Sequence, residues 1–307
     1  MSDYLVLINS KSGRAKELGA EAIEADLRPA FASHGDARFL SGAFTELAEA
    51  AQGFGGKAVV TVGGDGTIGG IAGVLQKRQQ APMLIPLPYG TANLVPLDLD
   101  MPLDADVALK RSLAAPPRKI DLVRMGERAM LHSALFGTFA EMAEDREELR
   151  HAPTFGDALG AATTMIEHFL SAQSDAYRFT LDGEVIETET SAVFIVNGPV
   201  WAGKGVAPRR NKLDGGKLIV YVSQQRGLLG LMQHILDGLT VGLEGSDDLQ
   251  RYEADEVLVE PMGKELHYTL DGEPGTSREA ISFTIHPRCL TVPDLRKAEV
   301  AQGEQAG

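Results

Sequence analysis

Cysteine is almost absent from this sequence of 307 residues: Cys289 stands alone. A single thiol excludes an intrachain disulfide and a cysteine-rich zinc site, and it suits a reducing cytoplasm. Basic residues are also scarce, with 29 Lys and Arg against 43 Asp and Glu, so the formal net charge is −14. A dedicated nucleic-acid binder carries a basic footprint, and that class is set aside. Long apolar runs are missing: no stretch approaches the roughly 18 uninterrupted apolar residues that a membrane span needs. The opening MSDYLVLINS has no basic region before its short apolar run, so no targeting leader is expected.

What remains is the make-up of a globular protein, 44% hydrophobic and 23% charged, which separates it from disordered chains. The length predicts about two domains. In the first third, Tyr4–Ile8, Ala58–Val62 and Met83–Leu87 read as buried strands, and Phe39-Leu40 ends a further one. Helical spacing runs from Ala15 to Phe31, from Ala43 to Ala51, and from about Ile68 to Gln79. Strands alternating with helices predict a parallel sheet covered on both faces. Beyond a composition shift near Pro116-Pro117 the pattern changes to short strands with turn signals. These are Tyr177–Leu181, Ala192–Val196, Lys217–Val222, Glu256–Glu260, Leu266–Leu270 and Ile281–Ile285. Helical patterns cover Ala158–Ala172 and Leu228–Leu239, and Arg296–Gly307 reads as a frayed tail.

Glycine and hydroxyl residues collect where the parallel strands end. The first strand runs into Asn9-Ser-Lys-Ser-Gly-Arg14, the next into Gly63-Gly-Asp-Gly-Thr67, and the last into Pro88-Tyr-Gly-Thr-Ala-Asn93. In a parallel sheet these loops leave from one carboxyl edge, where such sheets bind ligands. Backbone N–H groups beside helix starts stabilise phosphate oxygens. Lys11 and Arg14 add positive charge; Ser12, Thr67 and Thr91 add hydroxyls. Asp65 repels phosphate, so its presence there asks for a ribose hydroxyl, a water shell or Mg²⁺. Gly64-Asp-Gly66-Thr-Ile-Gly69 formally fits the dinucleotide fingerprint, yet the next strand ends Leu87-Pro-Tyr-Gly-Thr without the acidic residue that fingerprint needs. No Walker A sequence is present, since none of the Gly-Lys pairs precedes Ser or Thr.

With Asn9-x-x-Ser12-Gly13, the Gly63–Thr67 block and Gly90-Thr-Ala-Asn93 followed by Met101-Pro102, the sequence resembles the diacylglycerol kinase catalytic-domain family, which includes sphingosine kinases and bacterial lipid kinases. The likeness continues through Ile120-Asp121-Leu122, Val196-Asn-Gly198, Gly203-x-Gly205, Ala207-Pro208 and Leu270-Asp-Gly-Glu273. It implies an α/β plus β architecture. A Rossmann-like parallel α/β nucleotide domain, of the NAD kinase and phosphofructokinase kind, spans 1–122 and takes 286–300 for its completion. A β-sandwich lipid domain spans 123–285, with a cleft between the two. The implied activity is transfer of the ATP γ-phosphate to a lipid hydroxyl, as on diacylglycerol or a sphingoid base, with Mg²⁺.

The resemblance places nucleotide against Asn9, Ser12, Gly13, Gly63, Gly64, Asp65, Gly66, Thr67, Gly90, Thr91 and Asn93, with Asp65 reaching metal through Mg-ATP. It gives catalysis to Asp271 and Glu273, with Asp65 beside them. Either carboxylate can take the acceptor proton; Glu273 is preferred, with Asp271 helping to hold metal or water. A second copy, Asp182-Gly183-Glu184, follows Thr-Leu in the same way and is read as a hairpin turn. The expected partners are a lipid substrate and a membrane surface visited transiently from the cytoplasm. Homodimerisation is left open. Rival readings are an NAD kinase-like enzyme and an inactive nucleotide- or lipid-binding module.

The sequence departs from the family pattern at Ser10, where proline is usual, and at Gly69-Gly70, where Asn-Glu is usual. Gly215 falls where the ligand of a structural Mg²⁺ would stand, leaving Asp214 as its substitute. His132-Ser133 stand where Asn is frequent, ahead of Gly137-x-Phe139. The basic cluster Arg209-Arg210-x-Lys212 is read as a solvated loop.

Overall fold

A computed structural model describes residues 2–137, 140, 174–201, 209–210, 212–223 and 249–296. The expected helices at 158–172 and 228–239, the Gly203 to Pro208 signature, Phe139 and nearly all of the tail lie outside the described residues. The chain divides into two compact units. One comprises Met1–Leu122, Glu127–Leu131 and His286–Gly307; the other comprises Val123–Gly126 and His132–Ile285.

The first unit is built on β1 (Tyr4–Asn9), α1 (Gly13–Leu18), α2 (Ala20–Leu27), β2 (Ala37–Gly42), α3 (Phe44–Gly53), β3 (Ala58–Gly63), α4 (Asp65–Gln76), β4 (Met83–Pro88), α5 (Leu94–Asp98) and α6 (Ala105–Ala114). Its strands form a parallel sheet in the order β2-β1-β3-β4. Residues 4–8 of β1 and all of β3 are buried, as expected of strands covered on both faces. The helical run expected from Ala15 to Phe31 is not continuous. Gly19, at φ 81°, ends α1 and opens α2, and a 3₁₀ turn at Arg28–Phe31 follows. Positive φ is readily reached by glycine, so the chain turns there.

The order 2-1-3-4 has a consequence for ligand binding. From β1 the chain steps outward to β2, whereas from β3 it steps the other way to β4. The loops after β1 and β3 therefore diverge at adjacent strand ends, the switch point where doubly wound sheets open a crevice.

The remaining strands are β5 (Pro117–Met125), β6 (Arg128–Met130), β7 (Ser133–Gly137), β8 (Asp175–Leu181), β9 (Glu184–Thr190), β10 (Ala192–Asn197), β11 (Val200–Trp201), β12 (Arg209–Arg210), β13 (Leu218–Ser223), β14 (Leu249–Ala254), β15 (Glu256–Pro261), β16 (Leu266–Leu270), β17 (Glu273–Ser277) and β18 (Ile281–Pro293). One six-stranded sheet runs β14-β13-β10-β7-β16-β17 and a second runs β6-β5-β18-β15-β8-β9. The division between the units falls inside β5 and inside β18.

The second unit packs sheet against sheet through aromatic rings. Phe136 on β7, fully buried, meets Tyr177 of β8 and Phe283 of β18 edge-on, with centroids 6.5 and 6.1 Å apart. Tyr268 on neighbouring β16 lies 6.0 Å from the same ring. Such pairs add specific geometry to the large apolar area they bury. This is the β-sandwich that the family resemblance implies for the second domain.

One reading of an isolated residue changes. Arg210 is not in a solvated loop: it is 2% exposed, and its guanidinium donates to Asn197 O at 2.6 Å. Cys289, on β18, has its thiol pushed up to about 11, mainly by burial. It is thus protonated at neutral pH and unreactive as a nucleophile. Among the described residues no helix is long and apolar enough to cross a membrane.

Phe136→Ala removes the ring shared by both sheets. The expected cost is about 3–5 kcal/mol of folding free energy, read from denaturant midpoints. A loss below about 1 kcal/mol would mean the sandwich is not knit there.

Candidate functional site

The three strand-end loops of the first unit meet. Asn9, the last residue of β1, donates from Nδ2 to Thr67 Oγ1 at 2.8 Å, and its Oδ1 accepts the Lys11 N–H at 3.0 Å. Ser12 Oγ accepts the Gly64 N–H at 3.0 Å. One side-chain amide and one hydroxyl thus tie the loop after β1 to that after β3. On the other flank Asp65 Oδ1 accepts the Val95 N–H at 3.3 Å, which links the first turn of α4 to the start of α5. Asn93 Oδ1 accepts the Gly90 N–H at 2.8 Å and closes the loop after β4 on itself.

The sequence pattern places the start of α4 near Ile68, but the helix begins at Asp65. Asp65-Gly66-Thr67 are its first turn, and the Asp65 carboxylate sits where a helix dipole favours negative charge. Burial of Asp65 and Thr67, both 7% exposed, follows from the cross-links just described.

Glycine at 90 is favoured by close approach. A Cβ on Gly90 would stand 3.1 Å from Gly64 Cα and 3.1 Å from Asn93 Oδ1. A Cβ on Gly64 would find only ordinary contacts, Ser12 Oγ at 3.9 Å and Gly90 Cα at 4.0 Å. At Gly64 the loops leave an opening, a concavity in which a Cβ would make only ordinary contacts. The N–H groups of Gly64 and Gly90 are not offered to a ligand, as the sequence pattern implies; they hold the loops. The donors that remain at helix ends are those of Gly13 in α1 and Gly66 in α4, because a helix has no internal acceptor for its first N–H groups. Thr91 is exposed on the third loop. Arg14 brings its guanidinium 5.8 Å from the ring centroid of Tyr89, whose hydroxyl is raised above its usual range by burial and by the Asp26 charge, against the opposing pull of Arg14.

In the second unit Leu270-Asp271-Gly272-Glu273 is the two-residue turn of the β16–β17 hairpin, with φ 49° at Asp271 and 86° at Gly272. Positive φ at both positions is the signature of the primed hairpin turn. Asp271 is 5% exposed. Its Oδ1 accepts the N–H groups of His132 and Ser133 at 2.8 and 2.9 Å, while its own N–H donates to Ser133 O at 2.8 Å. The other Asp-Gly-Glu does the same thing elsewhere. Asp182, φ 49°, accepts the N–H groups of Asp255 and Glu256 at 2.9 and 2.8 Å on Oδ1 and donates its N–H to Glu256 O at 3.1 Å. Both turns hook a carboxylate over the start of a neighbouring strand, β7 in one case and β15 in the other. No signal in the sequence announces the hook, because its partners lie 139 and 73 positions away.

Metal-holding groups of three or more His, Cys, Asp or Glu are absent among the described residues. Asp214, expected to serve a structural cation, is therefore not part of such a group among the described residues. Asp65 fits a cation that arrives with phosphates, since its carboxylate borders the same concavity: a Cβ on Gly90 would lie 3.4 Å from its Oδ2.

A doubly wound parallel sheet with three glycine loops at its strand ends, together with an antiparallel sandwich, defines a two-domain protein of the α/β plus β-sandwich class. The diacylglycerol kinase catalytic-domain model matches residues 3–125, and the YegS C-terminal NAD kinase beta sandwich-like domain model matches residues 140–293. The chain belongs to the family that these two domains define, the diacylglycerol kinase catalytic-domain family with a YegS-type C-terminal half. A relative in Salmonella arizonae that carries the name "Probable lipid kinase YegS" is 26% identical over 306 residues, covering 95% of this chain and 97% of its own. A "Probable lipid kinase YegS-like" protein of Pseudomonas aeruginosa is 28% identical over 263 residues, covering 84% and 81%. The crystal structure of a diacylglycerol kinase from Bacillus anthracis superposes with a TM-score of 0.69 at 18% identity over 94% of this chain and 96% of that one, a likeness of fold.

Asp182→Ala removes an acceptor for two strand-start N–H groups. It is expected to cost about 0.5–1.5 kcal/mol of stability, measured by denaturation. An unchanged midpoint would mean that the hook does not hold β15.

Proposed function

We propose that this chain is an ATP-dependent lipid kinase. The observation that carries the reading is the convergence of three strand-end loops at the β1/β3 switch point. Phosphoryl transfer asks a protein mainly to position the phosphates and offset their charge. Gly13, Gly66 and Thr91 supply N–H donors, and Lys11 and Arg14 supply positive charge. Ser12 and Asn9 hold the loops that present them. Mg²⁺, bound with the nucleotide, would neutralise charge on the transferred group, and Asp65 is the carboxylate suited to hold it.

In the reaction the acceptor hydroxyl oxygen forms the new bond to the γ-phosphorus as the bond to the β-γ bridging oxygen breaks. ADP leaves with that electron pair, and the hydroxyl proton passes to a carboxylate. Glu273 is assigned as that base. Asp271 is assigned to the shaping of the turn that presents it, a role supported by the two N–H groups on Asp271 Oδ1. The acceptor is a membrane lipid bearing a free hydroxyl, such as diacylglycerol or a sphingoid base, reached by transient contact with the bilayer surface.

The test is turnover of Mg-ATP with mixed micelles of diacylglycerol or sphingosine, with NAD as an alternative acceptor. Lipid-dependent ADP release is expected, and phosphorylation of NAD alone would contradict the reading. Gly64→Ala should fold normally, because its Cβ meets nothing closer than 3.9 Å. It should weaken ATP binding by about tenfold or more, since its methyl enters the concavity. Glu273→Gln should retain ATP binding and lose turnover by at least about a hundredfold. A Glu273→Gln protein with full turnover would remove that residue from the base role.

A further inference from the structure

The two Asp-Gly-Glu hooks share backbone angles and hydrogen bonds, so what differs between them isolates what the fold alone does not demand. Around Asp182 the hook is exposed, and Asp255 sends its carboxylate to Lys217 Nζ at 2.7 Å, a solvent-facing ion pair. Around Asp271 the hook is sealed. His132 is 2% exposed, and its ring Nδ1 is hydrogen-bonded to Ser133 Oγ at 2.9 Å. These two residues supply the N–H groups that Asp271 accepts. A buried imidazole on a strand start is costly unless its polar atoms find partners. The hook at Asp182 shows that holding a strand start in this way needs neither an imidazole nor a hydroxyl.

We propose that His132 and Ser133 are positioning residues for the Asp271–Glu273 turn: the imidazole–hydroxyl bond fixes the aim of their two N–H groups, and through these the Asp271 carboxylate and the turn it belongs to. The proposal rests on the reading of that turn as the catalytic one. Neither residue is assigned contact with substrate. A side-chain bond between adjacent residues restrains the torsions of the dipeptide that carries both donors, which lets a ring and a hydroxyl control the placement of the Asp271 carboxylate. An error of about 1 Å in such placement is enough to cost a hundredfold in rate.

The experiment pairs kinetics with amide hydrogen exchange on the full-length protein. Ser133→Ala keeps both backbone donors and removes the side-chain bond. It should lower kcat for lipid phosphorylation about tenfold, leave the KM for ATP within about twofold, and leave the unfolding midpoint nearly unchanged. Exchange at the His132 and Ser133 amides should quicken about tenfold, while that at Asp255 and Glu256 does not. Ser133→Thr, which restores a hydroxyl, should recover both readouts; Asp255→Ala, on the other hook, should alter neither. Wild-type kcat or wild-type exchange in Ser133→Ala overturns the proposal. So does a loss of rate that merely tracks a loss of stability and is not rescued by threonine. If the wild-type protein phosphorylates no lipid, the kinase reading fails, and the exchange measurement alone decides whether the pair governs the hook.

Discussion

Two hydrogen bonds, from Asn9 to Thr67 and from Gly64 to Ser12, hold the molecule's candidate site together. Each contributes only about 1 kcal/mol net, so they do not create the arrangement. The parallel pairing of β1 with β3 already delivers the two loops side by side, in register from Tyr4 against Ala58 to Ile8 against Val62. The hydrogen bonds choose one geometry among those the sheet permits. Their cost is that some donors are spent inside the protein, which in the proposed kinase reading leaves the anion-binding task to the N–H groups at the starts of α1 and α4. A phosphate site built this way is rigid where the loops touch and open where the helix ends point.

The parallel architecture was readable because β1, β3 and β4 are nearly pure runs of apolar residues and the loops after them are crowded with glycine. The residues that carry the cross-links, Asn9, Ser12 and Thr67, were readable as candidate site residues for the same reason. Their internal use was not, since a hydroxyl or amide near a glycine loop looks alike whether it faces a phosphate or another loop. The start of α4 moved three residues toward the N-terminus because helix boundaries depend on first-turn geometry, which Asp65 and the glycines around it do not advertise by periodicity. Arg210 illustrates the opposite limit. A basic triplet in an acidic chain reads as surface, and only tertiary packing reveals that a β-strand carbonyl accepts from it in the interior.

The pair of Asp-Gly-Glu turns shows how far local chemistry reaches. Thr-Leu-Asp-Gly-Glu folds to the same hairpin twice, and twice the aspartate takes the N–H groups at the start of a neighbouring strand. Burial separates the two: Asp271 is enclosed and Asp182 is exposed. Burial is a property of the sandwich, not of the pentapeptide. In this family member the turn geometry is therefore a common structural device, and the groups brought against it, His132 and Ser133 in one place and Asp255 and Glu256 in the other, give each copy its character.

The central physical claim is that the concavity between the strand-end loops of the first unit grips a nucleotide triphosphate through backbone donors. An amide NMR titration with Mg²⁺ and a non-hydrolysable ATP analogue tests it directly. The account predicts saturable shifts led by Gly13, Gly66 and Thr91, with the β-strand amides of the same sheet nearly still. Saturable binding that leaves those three amides unmoved and perturbs residues remote from β1 and β3 would contradict it.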